Sequence, residues 1–141
     1  MKRKGSAIWW GDLQNGRGEL STESGALTGT PYSVPTRFGD EKGSNPEELI
    51  GAAHAGCFSM ALSKELKDAG LDPKRIDTEA EVTLEKVDGG FSVTHVLLTT
   101  RVEAPDADPD VFGRAADAAK KGCPVSRLLN AEIELKATLV N

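Results

Sequence analysis

Between Ile76 and Lys86 apolar and polar positions alternate, with Ile76, Thr78, Ala80, Val82 and Leu84 on one side and Asp77, Glu79, Glu81, Thr83 and Glu85 on the other. A period of two marks a half-buried strand. Asp88-Gly89-Gly90 follows, residues that tolerate positive φ, and Phe91 to Glu103 returns as a long β-branched run, so a hairpin is predicted. Near the end, Glu132 to Val140 sets Ile133, Leu135, Ala137 and Leu139 against Glu132, Glu134, Lys136 and Thr138. This last strand is expected to join the same sheet. At the start, Lys2 to Trp10 and Gly18 to Ser24 are expected to pair around Asn15-Gly16, a turn-forming dipeptide.

The period changes to that of helices elsewhere. Asn45 reads as an N-cap with Pro46 at the first helical position and Glu48 at the third, and the helix runs to Asp68 or Ala69 before Gly70 stops it. Asp108-Pro109 opens a second helix with Val111, Phe112, Ala115, Ala116 and Ala119 as its apolar stripe, ending at Gly122. Cys123-Pro124 then starts a short third helix through Leu129. Strands and helices come in blocks, which argues for an α+β fold with mainly antiparallel sheet. Ser21 to Asn45, polar and rich in glycine, is the one long irregular region, and its length points to function. Between Ile50 and Leu62 the first helix is apolar or small nearly all round, so it needs cover on several sides: a sheet on one, a second subunit on another.

Composition narrows the function classes. A chain of 141 residues makes one domain, 1–141, which on folding hides roughly 68–70% of its unfolded surface. Its net charge of −5 is spread along the chain with no basic stripe, which argues against nucleic acid as a partner. Met1-Lys2-Arg3-Lys4 is basic but no continuous apolar run follows it, so a cytoplasmic protein without a leader is expected. The longest apolar-biased stretch, Leu49 to Leu62, falls short of the roughly 18 residues of a membrane span. In a reducing compartment the two cysteines, Cys57 and Cys123, read as reactive or buried thiols rather than as a permanent bridge.

Taken alone, the two thiols rank clearly. Cys57 lies mid-helix among small and apolar neighbours, in Ala53-His54-Ala55-Gly56-Cys57-Phe58, where burial raises a thiol's pKa; it reads as a packing cysteine. Cys123 reads as a helix N-cap, where unpaired N–H groups favour a thiolate, and is the better nucleophile of the two. They are 66 positions apart, so only tertiary structure brings them together. His54 is read as a neutral histidine satisfied in the subunit interface, with lining the site as its alternative, His95 as structural, and Trp9 and Trp10 as sheet-packing residues. A zinc site built from the two Cys and two His is not expected, nor is another metal or cofactor.

The segment from Asn45 to Leu62, with Asn-Pro-Glu-Glu-Leu-Ile-Gly-Ala-Ala-His-Ala-Gly-Cys57-Phe-Ser-Met-Ala-Leu, resembles the first cysteine motif of the OsmC/Ohr family, the osmotically inducible and organic-hydroperoxide-resistance proteins. Lys121-Gly122-Cys123-Pro124-Val125-Ser126 resembles the second motif. Thr22-Glu23-Ser24-Gly25, Thr36-Arg37-Phe38, Lys86-Val87-Asp88 and the Cys-Pro-Val-Ser run are similar to the osmotically inducible branch. The resemblance spans essentially the whole chain. It implies mainly antiparallel sheets packed around a long central helix, in an intertwined homodimer.

The resemblance also implies a chemistry and reverses the ranking of the thiols. Cys57 attacks the oxygen of an organic hydroperoxide, or more weakly of hydrogen peroxide, and becomes a sulfenic acid; Cys123 condenses with it, and an external dithiol resets the disulfide. Arg37 matches the family's active-site arginine, a cation that offsets the burial of Cys57, and Glu47 matches its acidic partner. Such a protein serves in oxidative and osmotic stress defence. Glu47 and Cys57 are roughly 15 Å apart along one helix, too far to share a site within it. Two copies crossing antiparallel near Ala52, eased by Gly51, Ala52, Ala53, Ala55 and Gly56, would instead set Glu47 of one opposite Cys57 of the other. Phe38, Phe58 and Met60 are candidates for lining an apolar pocket. The alternative is a thiol redox sensor or a binding module for small apolar molecules, which uses the same cysteines without turnover.

Overall fold

The computed structural model describes residues 1–140. Their chain forms two compact units, Met1–Leu49 and a second that begins at Ile50.

In the first unit, β1 (Gly5–Trp10), β2 (Arg17–Thr22) and β3 (Thr30–Tyr32) form an antiparallel sheet in that order. The expected hairpin is present, but its turn works differently from a simple Asn-Gly pair. Gly11 takes the positive φ, +89°, while Gly16 is needed for close approach: a Cβ there would stand 2.3 Å from the Asp12 carbonyl oxygen. Gly18 does the same for the sheet face, where any side chain would strike the Trp9 and Tyr32 rings that pack on each other at 5.4 Å. The stretch expected to be irregular contains β3 and a short helix, α1 (Val34–Phe38). Ser33 caps it in a reciprocal box with Thr36, a Ser-x-x-Thr variant that hydrophobic periodicity does not register in so short a helix.

The second unit is built on α2 (Pro46–Asp68), whose first residues belong to the first unit. Asn45 caps it as expected, its side-chain oxygen accepting from the Glu48 N–H at 2.8 Å, and Gly70 ends it at φ +81°. β4 (Arg75–Val87) and β5 (Gly90–Glu103) form the predicted hairpin, with Asp88 at φ 49° and Gly89 at φ 80° supplying a two-residue turn of the primed kind. Thr94 is an extra residue in β5, since Thr83 pairs with His95 and Leu84 with Val93. α3 (Pro109–Gly122) and α4 (Pro124–Leu128) then cross over to β6 (Glu132–Val140), which lies parallel to β5. Three of the four strand pairings are antiparallel. The parallel one follows from the helical connection, because a crossover returns the chain to the end where β5 began.

Phe58, Leu62 and Leu66, one face of α2, are wholly buried with Val96, Leu98 and Val102 of β5 and with Phe112, Ala115, Ala116 and Ala119 of α3. Polar contacts fix the register. Ser59 donates to Thr78 at 2.8 Å, Thr78 and Thr100 share a hydrogen bond of 2.9 Å, and Thr100 donates to the Asp77 carbonyl. Gly51 is buried against β4, where a Cβ would meet the Ala80 carbonyl oxygen at 3.0 Å. Ala52, Ala53, Gly56 and Met60 form an exposed face on the same helix.

Candidate active site

Cys57 stands on α2 next to the core residue Phe58, partly buried. Cys123 occupies the joint between α3 and α4 and is wholly buried. Its N–H closes α3 on the Ala119 carbonyl at 2.9 Å and its own carbonyl accepts from Arg127 to open α4, so backbone at both sides fixes the side chain. The two sulfurs are 3.1 Å apart. That is about 1 Å beyond a disulfide bond, so a small closure joins them.

Two further members of the cluster come from the helices that carry the cysteines. His54 and Cys57 are three apart on α2, and Cys123 and Ser126 are three apart across the first turn of α4, so each pair shares a helix face. His54, wholly buried, has its Nε2 2.7 Å from Ser126 Oγ. Its Nδ1 has no partner among the described residues. Burial holds the His54 pKa below the ordinary histidine value, so the ring is neutral near pH 7.

The thiols diverge in acidity. Burial pushes Cys57 up, the hydrogen bond and charge of Cys123 push it further, and the Val125 N–H offsets only part of this. Burial also acts upward on Cys123, but it is outweighed by the hydrogen bond from Cys57, by the backbone and hydroxyl of Ser126, and by the Val125 N–H, so Cys123 sits below the ordinary thiol value. Its sulfur forms no directed N-cap bond to α4; the nearby N–H groups favour its anion electrostatically. Within this unit the acidity therefore follows the residue-level ranking.

Arg37 and Glu47 form the other cluster, inside the first unit. Thr36 donates its hydroxyl to the Ser44 carbonyl at 2.9 Å and the Asn45 amide donates to the Thr36 carbonyl at 3.4 Å, which ties α1 to the start of α2. The tie sets the guanidinium against the carboxylate: Nη2 to Oε1 is 2.6 Å, and Nε lies 3.1 and 3.2 Å from the two oxygens. A forked contact of this kind fixes orientation as well as charge. Glu47 is mostly buried, at 14% side-chain exposure, while Arg37 keeps 36%. Arg37 also stacks over the Phe38 ring at 5.2 Å. With Trp9, Leu13, Tyr32 and Val34 these two residues line an apolar cavity of about 310 Å³.

Phe38 lines the cavity, but Phe58 belongs to the core, with no exposed surface, and Met60 is 78% exposed on the open face of α2. Trp9 both packs on Tyr32 and lines the cavity. His95 bonds Glu134 across β5 and β6 at 3.1 Å. Among the described residues no cluster of His, Cys, Asp and Glu has the makings of a metal site. Residue-by-residue reading of the sequence passes over Ser126; the matched three-residue spacing in His54-x-x-Cys57 and Cys123-x-x-Ser126 is the signal that points to it.

An α+β fold that sets two free thiols 3.1 Å apart is the frame of the site, and comparison identifies the family. The family described as OsmC-like protein matches residues 39–138, and the chain belongs to it. It is 55% identical over 135 residues to the Peroxiredoxin OsmC of Escherichia coli (strain K12), covering 96% of this chain and 94% of that protein. The organic hydroperoxide resistance protein OhrB of Bacillus subtilis (strain 168) is more distant, 25% identical over 86% of this chain and 88% of its own. Among solved structures, an organic hydroperoxide resistance protein from Elizabethkingia anophelis has the same fold, with a TM-score of 0.75 at 24% identity over 100% of this chain and 98% of that one.

Proposed function

We propose that the chain is a thiol peroxidase that reduces organic hydroperoxides to alcohols in the cytoplasm. The observation that supports the reading is the 3.1 Å approach of Cys57 and Cys123, two free thiols. Membership of a family whose relatives are named for peroxiredoxin and hydroperoxide resistance supports the substrate class.

The Cys57 thiolate attacks the terminal peroxide oxygen, the O–O bond breaks, and the alcohol leaves with a proton as Cys57 becomes a sulfenic acid. Cys123 then condenses with it, releasing water, and an external dithiol reduces the disulfide. Burial opposes the first step, because it favours the protonated Cys57. A cation must counter it, and we assign that part to Arg37, oriented by Glu47, in a homodimer. Since Arg37 and Glu47 are locked together in one chain, the same subunit supplies both.

The test is single turnover followed by repeated turnover. Cys57→Ser is expected to consume no hydroperoxide, while Cys123→Ser consumes one equivalent to give a sulfenic acid and, with excess hydroperoxide, a second that takes Cys57 to sulfinic acid, read by intact-protein mass spectrometry. Equal first-turnover consumption by both variants would overturn the roles. A wild-type protein that stops after one oxidation in the presence of excess dithiol is a sensor, not a peroxidase.

A further inference from the structure

The cluster in the second unit contains more than two sulfurs, and the thiol pair alone does not explain why a neutral histidine is buried beside it. His54 is wholly enclosed, yet only one of its ring nitrogens has a partner among the described residues. The neutral ring carries one N–H. Placing it on Nδ1 would bury a donor with nothing to accept it, whereas placing it on Nε2 directs it at Ser126 Oγ, 2.7 Å away, and leaves only a bare lone pair. The second tautomer is the cheaper one.

With Nε2–H donating to its oxygen, the Ser126 hydroxyl has its own proton free to donate onward. Cys123 is the N-cap and Ser126 the third residue of α4, the two positions whose side chains and backbones meet in a capping turn. That turn sets the serine hydroxyl on the Cys123 side of the helix joint, where it favours the thiolate, and the Cys123 sulfur lies 3.1 Å from Cys57. The ring of His54 thus orients the Ser126 hydroxyl within the turn that carries the Cys123 sulfur.

We propose that Ser126, oriented by His54, donates its hydroxyl proton to the Cys123 sulfur in the second half of the reaction, so that the two act as positioning residues that hold Cys123 as an anion aimed at the oxidised sulfur of Cys57. In that step the Cys123 sulfur forms the S–S bond, and the S–O bond of the sulfenic acid breaks with its electron pair on the departing hydroxide. The proton that Cys123 gave up makes this hydroxide water. Sulfur supplies both the oxidant and the reductant, and no outside redox partner enters. The chemistry rests on the thiol peroxidase reading, but the positioning of Cys123 is testable without any peroxide.

The experiment uses the full-length reduced protein and 4,4′-dithiodipyridine. Cys57 is the partly exposed thiol and Cys123 the wholly buried one, so a first release of thiopyridone marks the mixed disulfide on Cys57, and a second marks attack by Cys123 on that sulfur. Ser126→Ala and His54→Leu are expected to leave the first phase unchanged and slow the second about tenfold, the loss of one hydrogen bond to a charged group. Ser126→Thr, which keeps the hydroxyl, and His54→Gln, which keeps a donor near Nε2, are expected to stay within about twofold of wild type. Second-phase rates at wild-type level in Ser126→Ala would overturn the proposal. So would equal slowing of both phases, or failure of the two conservative variants to rescue, since either marks a merely structural role. A parallel arm with cumene hydroperoxide keeps the two readings apart: if wild type forms no sulfenic acid while the variants slow only the second thiopyridone phase, the peroxidase reading falls and the positioning of Cys123 stands.

Discussion

Cys57 is flanked by small and apolar residues, and the structure gives its thiol the cost those neighbours foretell: burial raises its pKa, while Cys123 at the helix joint lies lower. A nucleophile disfavoured by its own surroundings depends on an added charge. Arg37→Ala is therefore expected to raise the Cys57 pKa and slow peroxide attack by about one to two orders of magnitude, the scale of the shift that a nearby opposite charge produces; alkylation of Cys57 against pH, in a Cys123→Ser background, is the measurement. His54 makes a separate prediction about stability. Its folded pKa lies below the 6.5 of the free side chain, so in that window the unfolded chain binds more protons than the folded one. Stability is intact above about pH 6.5 and falls as the pH drops through it. Urea midpoints at pH 7 and pH 5 are expected to fall further apart for wild type than for His54→Gln. At this scale the pairing of Arg37 with Glu47 was legible because motifs carry both residues, whereas the bond of Ser126 to His54 was not. A serine in a helix's first turn has a sufficient local reason to be there, and only the ring of His54, 72 positions away, gives it another.

Helices and strands were legible where one periodicity ran long enough. α2, α3 and the β4–β5 hairpin fall within a residue or two of their expected bounds, because caps and primed-turn residues mark their ends in the chain itself. α1 was missed because five residues cannot display a 3.6-residue period, and the direction of β6 was missed because an alternating strand looks the same run either way. Two glycines inside helices separate intrinsic propensity from packing. Gly113 on α3 has open space for 4 Å around the point where a Cβ would stand, so Gly113→Ala is expected to stabilise by about 1 kcal/mol, or about 3–5 °C in Tm. Gly51 on α2 has the Ala80 carbonyl oxygen at 3.0 Å from that point, so the same substitution must push helix from strand and is expected to destabilise by about 1–3 kcal/mol. Thermal unfolding of the two variants beside wild type decides both.

For the molecule as a whole, the outstanding surface is the face of α2 formed by Ala52, Ala53, Gly56 and Met60, which nothing among the described residues covers. Gly51, expected on the same surface, instead serves the packing of α2 on β4, so the face is narrower than the sequence implied. We propose that a second copy covers it, as the all-round apolar character of the helix requires. Ala52 is exposed in the single chain, so Ala52→Arg costs the isolated fold little. It is expected to halve the mass seen by light scattering and to remove peroxidase activity at the same protein concentration, with far-UV circular dichroism unchanged. The sharper claim concerns which subunit serves which thiol. Arg37 and Glu47 travel together, and Glu47 is ten residues from Cys57 on the same helix, roughly 15 Å along it. The forked pair of one subunit is thus expected to serve the partner's Cys57. Mixing Glu47→Ala with Cys57→Ser protomers, each inactive alone, creates heterodimers in which one site keeps the Arg37–Glu47 pair and a Cys57. Activity is expected to return toward about half of wild type per heterodimer, following heterodimer formation by native mass spectrometry. A site drawn from a single subunit predicts none, because each protomer still lacks one of its own groups, and heterodimers that form but remain inactive would reject the shared site.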